Sequence, residues 1–223
     1  MLPPPQTESQ VAALMEWLCN TCLERLGVTG AGVMLIGHGE HQGSVCGTDD
    51  AIRVIEEAQS TTGTGPCVEA WRDGEPVLIP DLEAETPGRW PEVSNRALAA
   101  GVRAMFALPL RADDETIGAL DLYRDQPGAL SDDELSDAQR LAEVAAWTVL
   151  GTQVSAEQDG LHEQVADVPP HRAAIEQAKG MAAAQLGISI PAALTRLRAA
   201  AVERGQSLAQ VCDDLLTGRL QLS

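Results

Sequence analysis

The sequence predicts an α+β protein: an N-terminal antiparallel sheet with helices, followed by an all-α bundle of three C-terminal helices. Three observations carry that prediction. Up to about residue 150, short apolar runs closed by Gly or Pro alternate with stretches of helical period. From His171 to Gly218, Ala fills 12 of 48 positions, and no aromatic ring follows Trp147, which is a helix-forming composition. Between the two parts, the polar stretch Gly151–Asp167 runs into Pro169-Pro170, as a domain boundary near 152–170 would.

In the first part, Val11, Leu14, Met15, Leu18, Cys22 and Leu26 recur at helical spacing. Gly32–Gly37 (GVMLIG) is a short buried strand closed by glycines, and Asp50–Gln59 reads as helix. Thr62–Arg72 (TGTGPCVEAWR) is a turn leading into a short helix, and Pro76–Pro80 (PVLIP) is a strand bounded by prolines. Trp90–Ala100 reads as helix with Gly101 available as its C-cap. Arg103–Leu110 and Glu115–Arg124 are strands flanking the polar Arg111–Asp114 turn, a hairpin. Ser131 followed by Asp132, Asp133 and Glu134 caps a helix that runs to about Leu150. This order predicts a sheet with helices largely on one face.

The second part reads as three helices. The first covers about His171–Leu186 and stops at Gly187, with Ile175, Ala178, Ala182 and Leu186 as its core face. Arg172, Glu176 and Lys179 are expected on a displaced polar face. Ser189 caps the second helix, where Ile190, Leu194, Leu197 and Ala201 form an apolar stripe and Arg196, Arg198 and Glu203 take other faces. Ser207 and Gln210 form a capping box for the third helix, whose Leu208, Val211, Cys212, Leu215 and Leu216 make a continuous apolar face.

Charge is divided unevenly. Residues 1–168 hold nine arginines and 29 acids, net −20, whereas residues 169–223 hold five arginines, Lys179 and four acids, net +2. A polyanion is repelled by the first part and can approach only the second. No apolar run of about 18 residues and no charged-then-apolar leader is present, so neither a membrane span nor a secretory signal is expected. Five cysteines, odd in number and scattered, fit a reducing compartment, and a cytoplasmic setting is expected.

Four ordered segments carry a resemblance. TGTGPCVEAW, PVLIPDL, RWPEVSNRALAAGVRAMFALPLR and IGALDLYRDQPGALSDDEL together resemble the GAF domains of actinobacterial two-domain regulators, over about residues 8–152. The resemblance implies a sensor with a ligand pocket on one sheet face, covered by loops and a short helix, and dimerisation through the first and last helices. Arg172–Met181 (RAAIEQAKGM), Gly187-Ile188-Ser189, Ala193-Leu194, Leu197-Arg198, Ala201 and Leu208 resemble the ANTAR domain, the RNA-binding module of bacterial antiterminators. The expected domains are a GAF sensor at 8–152, a linker at 153–168 and an ANTAR bundle at 169–218. The implied function is a homodimeric regulator that binds small stem-loops in nascent RNA and prevents a terminator hairpin from forming. Ala182-Ala183-Ala184 and Leu194 depart from the bulkier residues usual in the family.

RNA recognition usually needs guanidinium or ammonium groups on phosphate, and stacking or edge contacts on unpaired bases. With no aromatic platform in the tail, the candidate contacts are Arg172, Lys179, Arg196, Arg198 and Arg204, the Gln206 amide, and close backbone approach at Ala178 and Gly180. So few cations per subunit make a weak site, which pairing in a dimer would strengthen through effective concentration. For the sensor, Cys67, Trp71, Trp90, Met105, Asp121 and Tyr123 are pocket candidates from resemblance and strand alternation, with no ligand named. No haem or chromophore attachment pattern is evident, so no cofactor is expected. Cys19-x-x-Cys22 without a second pair reads as core packing, and His38, Glu40 and His41 lack a further ligand, so no metal is expected. Asp113-Asp114-Glu115 and Asp132-Asp133-Glu134 read as hairpin turn and helix start.

Walker, GxGxxG, GxSxG and HExxH motifs are all missing, so an enzyme is not expected. Two alternatives stay open. One is a regulator binding a small molecule or protein, whose C-terminal bundle only dimerises. The other is a thiol enzyme on the GAF fold, invited by Cys46 and Cys67, as some methionine sulfoxide reductases are.

Overall fold

The computed structural model of the chain describes residues 8–37, 40–85, 88–112, 115–158 and 170–222. The first part runs α1 (Glu8–Leu26), β1 (Gly30–Gly37), β2 (Glu40–Gly47), α2 (Asp50–Thr62), α3 (Pro66–Asp73), β3 (Val77–Ile79), α4 (Leu82–Glu85), α5 (Pro91–Ala99), β4 (Ala104–Ala112), β5 (Glu115–Arg124) and α6 (Asp132–Gln158). The tail forms α7 (Pro170–Leu186), α8 (Ile190–Arg204) and α9 (Leu208–Leu216). The strands make one antiparallel sheet in the order β2-β1-β5-β4-β3.

Both sheet faces carry helices, where one was expected to hold most of them. Leu108, Leu110, Leu120 and Leu122 point to one face and pack with Met15, Leu18 and Leu26 of α1 and with Ala138, Ala142, Ala145 and Ala146 of α6. Met34, Ile36, Met105, Ala107, Ala119 and Tyr123 point to the other and pack with Ile52, Ile55 and Ala58 of α2, Cys67 and Ala70 of α3, and Val93 and Ala97 of α5. The reason is visible in MFALPL and GALDLY. Both alternating sets on the central strands are largely apolar, and each needs a cover.

Strand β2 was not expected. Its sequence, EHQGSVCG, lacks an apolar alternation, and it pairs with β1 through two register shifts. It brings Cys46 against α1, where a disulfide joins it to Cys19, so Cys19 is not the free core-packing thiol expected and the five cysteines are not all reduced. Helix α6 continues to Gln158, past the expected stop near Leu150, because Gly151 alone does not break a run otherwise able to stay helical. Residues 159–169, with most of the expected linker and Pro169, lie outside the described residues, as do His38 and Asp113-Asp114. Among the described residues, no helix is long and apolar enough to cross a membrane, and no cluster of metal-binding side chains occurs.

The bundle forms as its caps predict. Ser189 accepts from the Ala192 amide at the start of α8, and Ser207 and Gln210 complete a capping box on α9. Gly187 and Gly205 end α7 and α8 at φ values of 64° and 61°, which a side chain would disfavour. Ala178, Ala182, Leu194, Leu197, Ala201, Val211, Cys212 and Leu215 fill a small core.

Candidate functional site

Helix α7 packs on both α8 and α9, which decides which of its residues meet solvent. Gly180 is exposed, with open space where a Cβ would stand. Ala178 is fully buried, as its place on the core face predicts but too deep for the close approach of a base, and Lys179 is 3% exposed rather than on a solvent-facing polar face. The cause is helical geometry. At about 100° per residue, Lys179 falls only about 20° around the helix from Leu186, at the margin of the core stripe rather than on a separate face. The Arg172 side chain lies outside the described residues.

The helix-two arginines diverge, being about 200° apart on α8. Arg196 is exposed and lines an open groove of about 510 Å³ with Leu186, Ile188, Ala192 and Thr195. Arg198 turns the other way, toward α2. Its Nε donates to the Ser60 carbonyl at 3.3 Å, and its guanidinium lies over Gly63, the left-handed C-cap of α2. Arg204 is exposed and donates to Gln206 Oε1 at 2.8 Å, while Gln206 Nε2 donates to Asp214 at 3.1 Å. Arg219, which sequence reasoning did not single out, pairs with Asp213 and Asp214.

A second contact supports the Arg198 clamp. The Leu208 amide, in the first turn of α9, donates to Thr61 Oγ1 of α2 at 3.3 Å, and both residues are buried. An amide at a helix start has no partner within its own helix, so here the sheet domain supplies one. The end of α2 thereby holds α8 and α9 together.

The opposite side of α2 enters the sheet core. Gly30 and Gly32 on β1 leave a trough, filled by the Tyr123 ring and the Glu56 carboxyl. Gln59 Nε2 donates to Asp121 Oδ2 at 3.2 Å, and Gln59 Oε1 accepts from the Cys67 amide at 2.8 Å. Burial pushes the Asp121 carboxyl up to about 7, against hydrogen bonds from Gln59 and Cys67 that lower it. Burial, then the Asp121 charge, drives Glu56 well above the usual carboxylate range, against a lowering pull from the Ser44 hydroxyl and Arg53, and among the described residues neither of its buried oxygens has a partner at hydrogen-bond geometry. Cys67 is fully buried and its thiol is pushed up by burial and by Asp121, the reverse of an activated thiolate. Tyr123 donates to Asp49 at 2.8 Å, Trp71 Nε1 to the Thr116 carbonyl at 2.8 Å, and Trp90 lies under the Arg89 guanidinium at 4.4 Å. Met105 is 2% exposed. The structure thus brings Cys67, Trp90, Met105 and Tyr123 into one buried cluster, with Trp71 packed at its border and Asp121 among them.

Sequence comparison now bears on this architecture. The family model described as the GAF domain matches residues 8–149, which is more than half of the chain. The chain belongs to the GAF domain family. A second model, the ANTAR domain, matches residues 163–216, where the three-helix bundle lies. No curated protein matches the chain.

Solved structures show the GAF fold at low identity. The GAF domain of the cyanobacteriochrome TePixJ is 20% identical, with a TM-score of 0.51, 69% of this chain and 99% of that one being covered. A GAF domain from an Acinetobacter phosphoenolpyruvate-protein phosphotransferase is 10% identical with a TM-score of 0.52, covering 69% and 87%. A type II free methionine-R-sulfoxide reductase from Thermoplasma acidophilum is 17% identical with a TM-score of 0.50, covering 64% and 94%.

Sequence reasoning missed three residues of the GAF core and its junction with the ANTAR bundle: Glu56, Gln59 and Thr61. Their signal was present. Ile52, Ile55, Glu56 and Gln59 lie at i, i+3, i+4 and i+7, so two polar side chains share the apolar face of α2.

Proposed function

We propose that this GAF–ANTAR protein is a transcription antiterminator whose ANTAR bundle binds stem-loops in nascent RNA under control of the GAF sensor. The observation that best supports it is the ANTAR match at residues 163–216, which overlaps most of the 169–223 tail of net charge +2, after a segment 1–168 of net −20. Transcription-coupled binding of this kind places the protein in the cytoplasm. Gly180, Arg196 and Arg204 are the exposed part of the candidate RNA surface, and the groove beside Arg196 offers an unpaired base an apolar floor. Arg198 is engaged by α2, so the arrangement described is a closed one, and release of the clamp adds Arg198 to the surface. Because Glu56 and Gln59 lie on α2 between the sensor core and the clamp, a small molecule admitted to that core has a direct mechanical route to the bundle.

A stem-loop RNA titration tests this. Arg196→Ala with Arg204→Ala is expected to weaken binding at least tenfold, and binding is expected to fall with added salt less steeply than for a strongly basic protein. Thr61→Val removes the acceptor of the buried Leu208 amide and should tighten RNA binding about fivefold or more by loosening the clamp. Absence of stem-loop binding by the wild-type protein would leave the second reading, a regulator binding a small molecule or protein whose C-terminal bundle only dimerises. The burial of Lys179 is the observation that favours that reading.

Dimerisation belongs to the same proposal. Trp17 on α1 and Val144 and Trp147 on α6 are 56%, 46% and 54% exposed on neighbouring helices, a self-complementary apolar face for a second copy. Trp17→Glu with Trp147→Glu is expected to halve the mass seen by light scattering and to weaken RNA binding as well.

A further inference from the structure

The five cysteines differ in what surrounds them. Cys22, Cys67 and Cys212 are each 0% exposed, and burial pushes the Cys22 and Cys212 thiols up to about 12. Cys19 and Cys46, by contrast, meet across the boundary between α1 and the edge strand β2 and border a recess of about 200 Å³. Glu16, Asn20, Gly47 and Thr48 complete its wall, so the pair is reached from the sheet edge through polar residues. Cys46 is the more exposed partner at 9%, against 1% for Cys19, and its Sγ lies 3.5 Å from the Met15 carbonyl of α1. The recess lies on the side of the sheet that packs α1, away from the Glu56–Asp121 core, so it is separate from the sensor cluster.

We propose that Cys19 and Cys46 are a site of reversible oxidative modification, closed to a disulfide by a small peroxide entering through this recess. In the first step the Cys46 thiolate attacks hydrogen peroxide. The O–O bond breaks, hydroxide leaves and takes up a proton as water, and Cys46 becomes a sulfenic acid. Cys19 Sγ then attacks the sulfenyl sulfur. The S–S bond forms as the S–O bond breaks, and the second hydroxide leaves as water with the Cys19 proton. Two thiols and one peroxide give one disulfide and two waters; a dithiol reductant returns two electrons and two protons by exchange. Oxidation ties the edge strand to α1 across a sequence separation of 27 residues.

The test uses the full chain. The reduced protein is treated with hydrogen peroxide, denatured with an alkylating agent, digested and examined by mass spectrometry. The expected product is a peptide pair cross-linked between Cys19 and Cys46, lost on dithiothreitol treatment, with Cys22, Cys67 and Cys212 alkylated as before. The oxidised wild type is expected to melt about 10 °C above the reduced form, a readout that needs no variant. Cys46→Ser should leave Cys19 alkylatable after peroxide. Equal alkylation of all five cysteines, a Cys19–Cys22 link, or sulfinic acid at Cys46 without a cross-link would each overturn the proposal. RNA binding is not part of the readout, so the result stands apart from the antiterminator reading.

Discussion

Asp121→Asn is expected to make the protein more stable at pH 8, by up to about 4 kcal/mol, and to flatten its pH dependence. The Asp121 carboxyl sits at about 7 in the folded chain, against 3.8 for an ordinary aspartate. The shift of about three units is worth roughly 1.4 kcal/mol each. A folded-state value above the unfolded one means that the native state holds the proton more tightly. Stability is therefore fully present below about pH 4, declines as pH rises, and is lost once pH passes 7. Glu56 is shifted in the same direction and steepens the decline. Asparagine carries no charge to bury and still accepts from Gln59 Nε2, so the variant escapes that loss. Urea unfolding of both proteins at pH 4.5, 6 and 8 reads the difference. Parallel curves would show that Asp121 does not titrate in the fold.

Gly118→Ala acts at a tighter place. Gly118 on β5 stands opposite Leu35 on β1, and a Cβ there would lie 2.1 Å from the Met34 carbonyl oxygen and 3.0 Å from the Leu35 Cα. Those are backbone atoms of a central strand and cannot swing aside as a side chain would. The central β1–β5 pairing must open, at a cost of about 3 kcal/mol or a fall in melting temperature of about 6–12 °C. Gly88→Ala is the control. Among the described residues beyond its chain neighbours, no heavy atom lies within 4 Å of its added methyl, and the change should stay within about 0.5 kcal/mol. A Gly118→Ala protein that melts with wild type would mean that the strands are farther apart than described.

What could be read from the sequence followed the signals that local chemistry leaves. Ser189, Ser207 and Gln210 announced their helix starts because capping needs a hydroxyl or amide at a fixed offset, and the structure makes those bonds. The hairpin of β4 and β5 was legible from two apolar runs about a polar turn. β2 was not, since its pairing is imposed by β1 rather than by its own pattern. The same limit applied to Arg198: helical spacing gives the direction of a side chain relative to its own helix, whereas its surroundings depend on where α2 comes to rest. Lys179 differs, because its spacing from Leu186 already set it at the margin of the core stripe. Glu56 and Gln59 were not singled out, although their spacing with Ile52 and Ile55 sets them on the apolar face of α2.

The sheet has two free margins, and neither invites a visitor. At one, β2 falls out of step with β1 twice, so an incoming strand could match it for only a few residues before losing register. At the other, β3 is three residues long between Pro76 and Pro80, too short to template a neighbour. Stacking of one sheet edge on another into fibres is thereby disfavoured, and the large exposed rings Trp17 and Trp147 stand on the helical side instead.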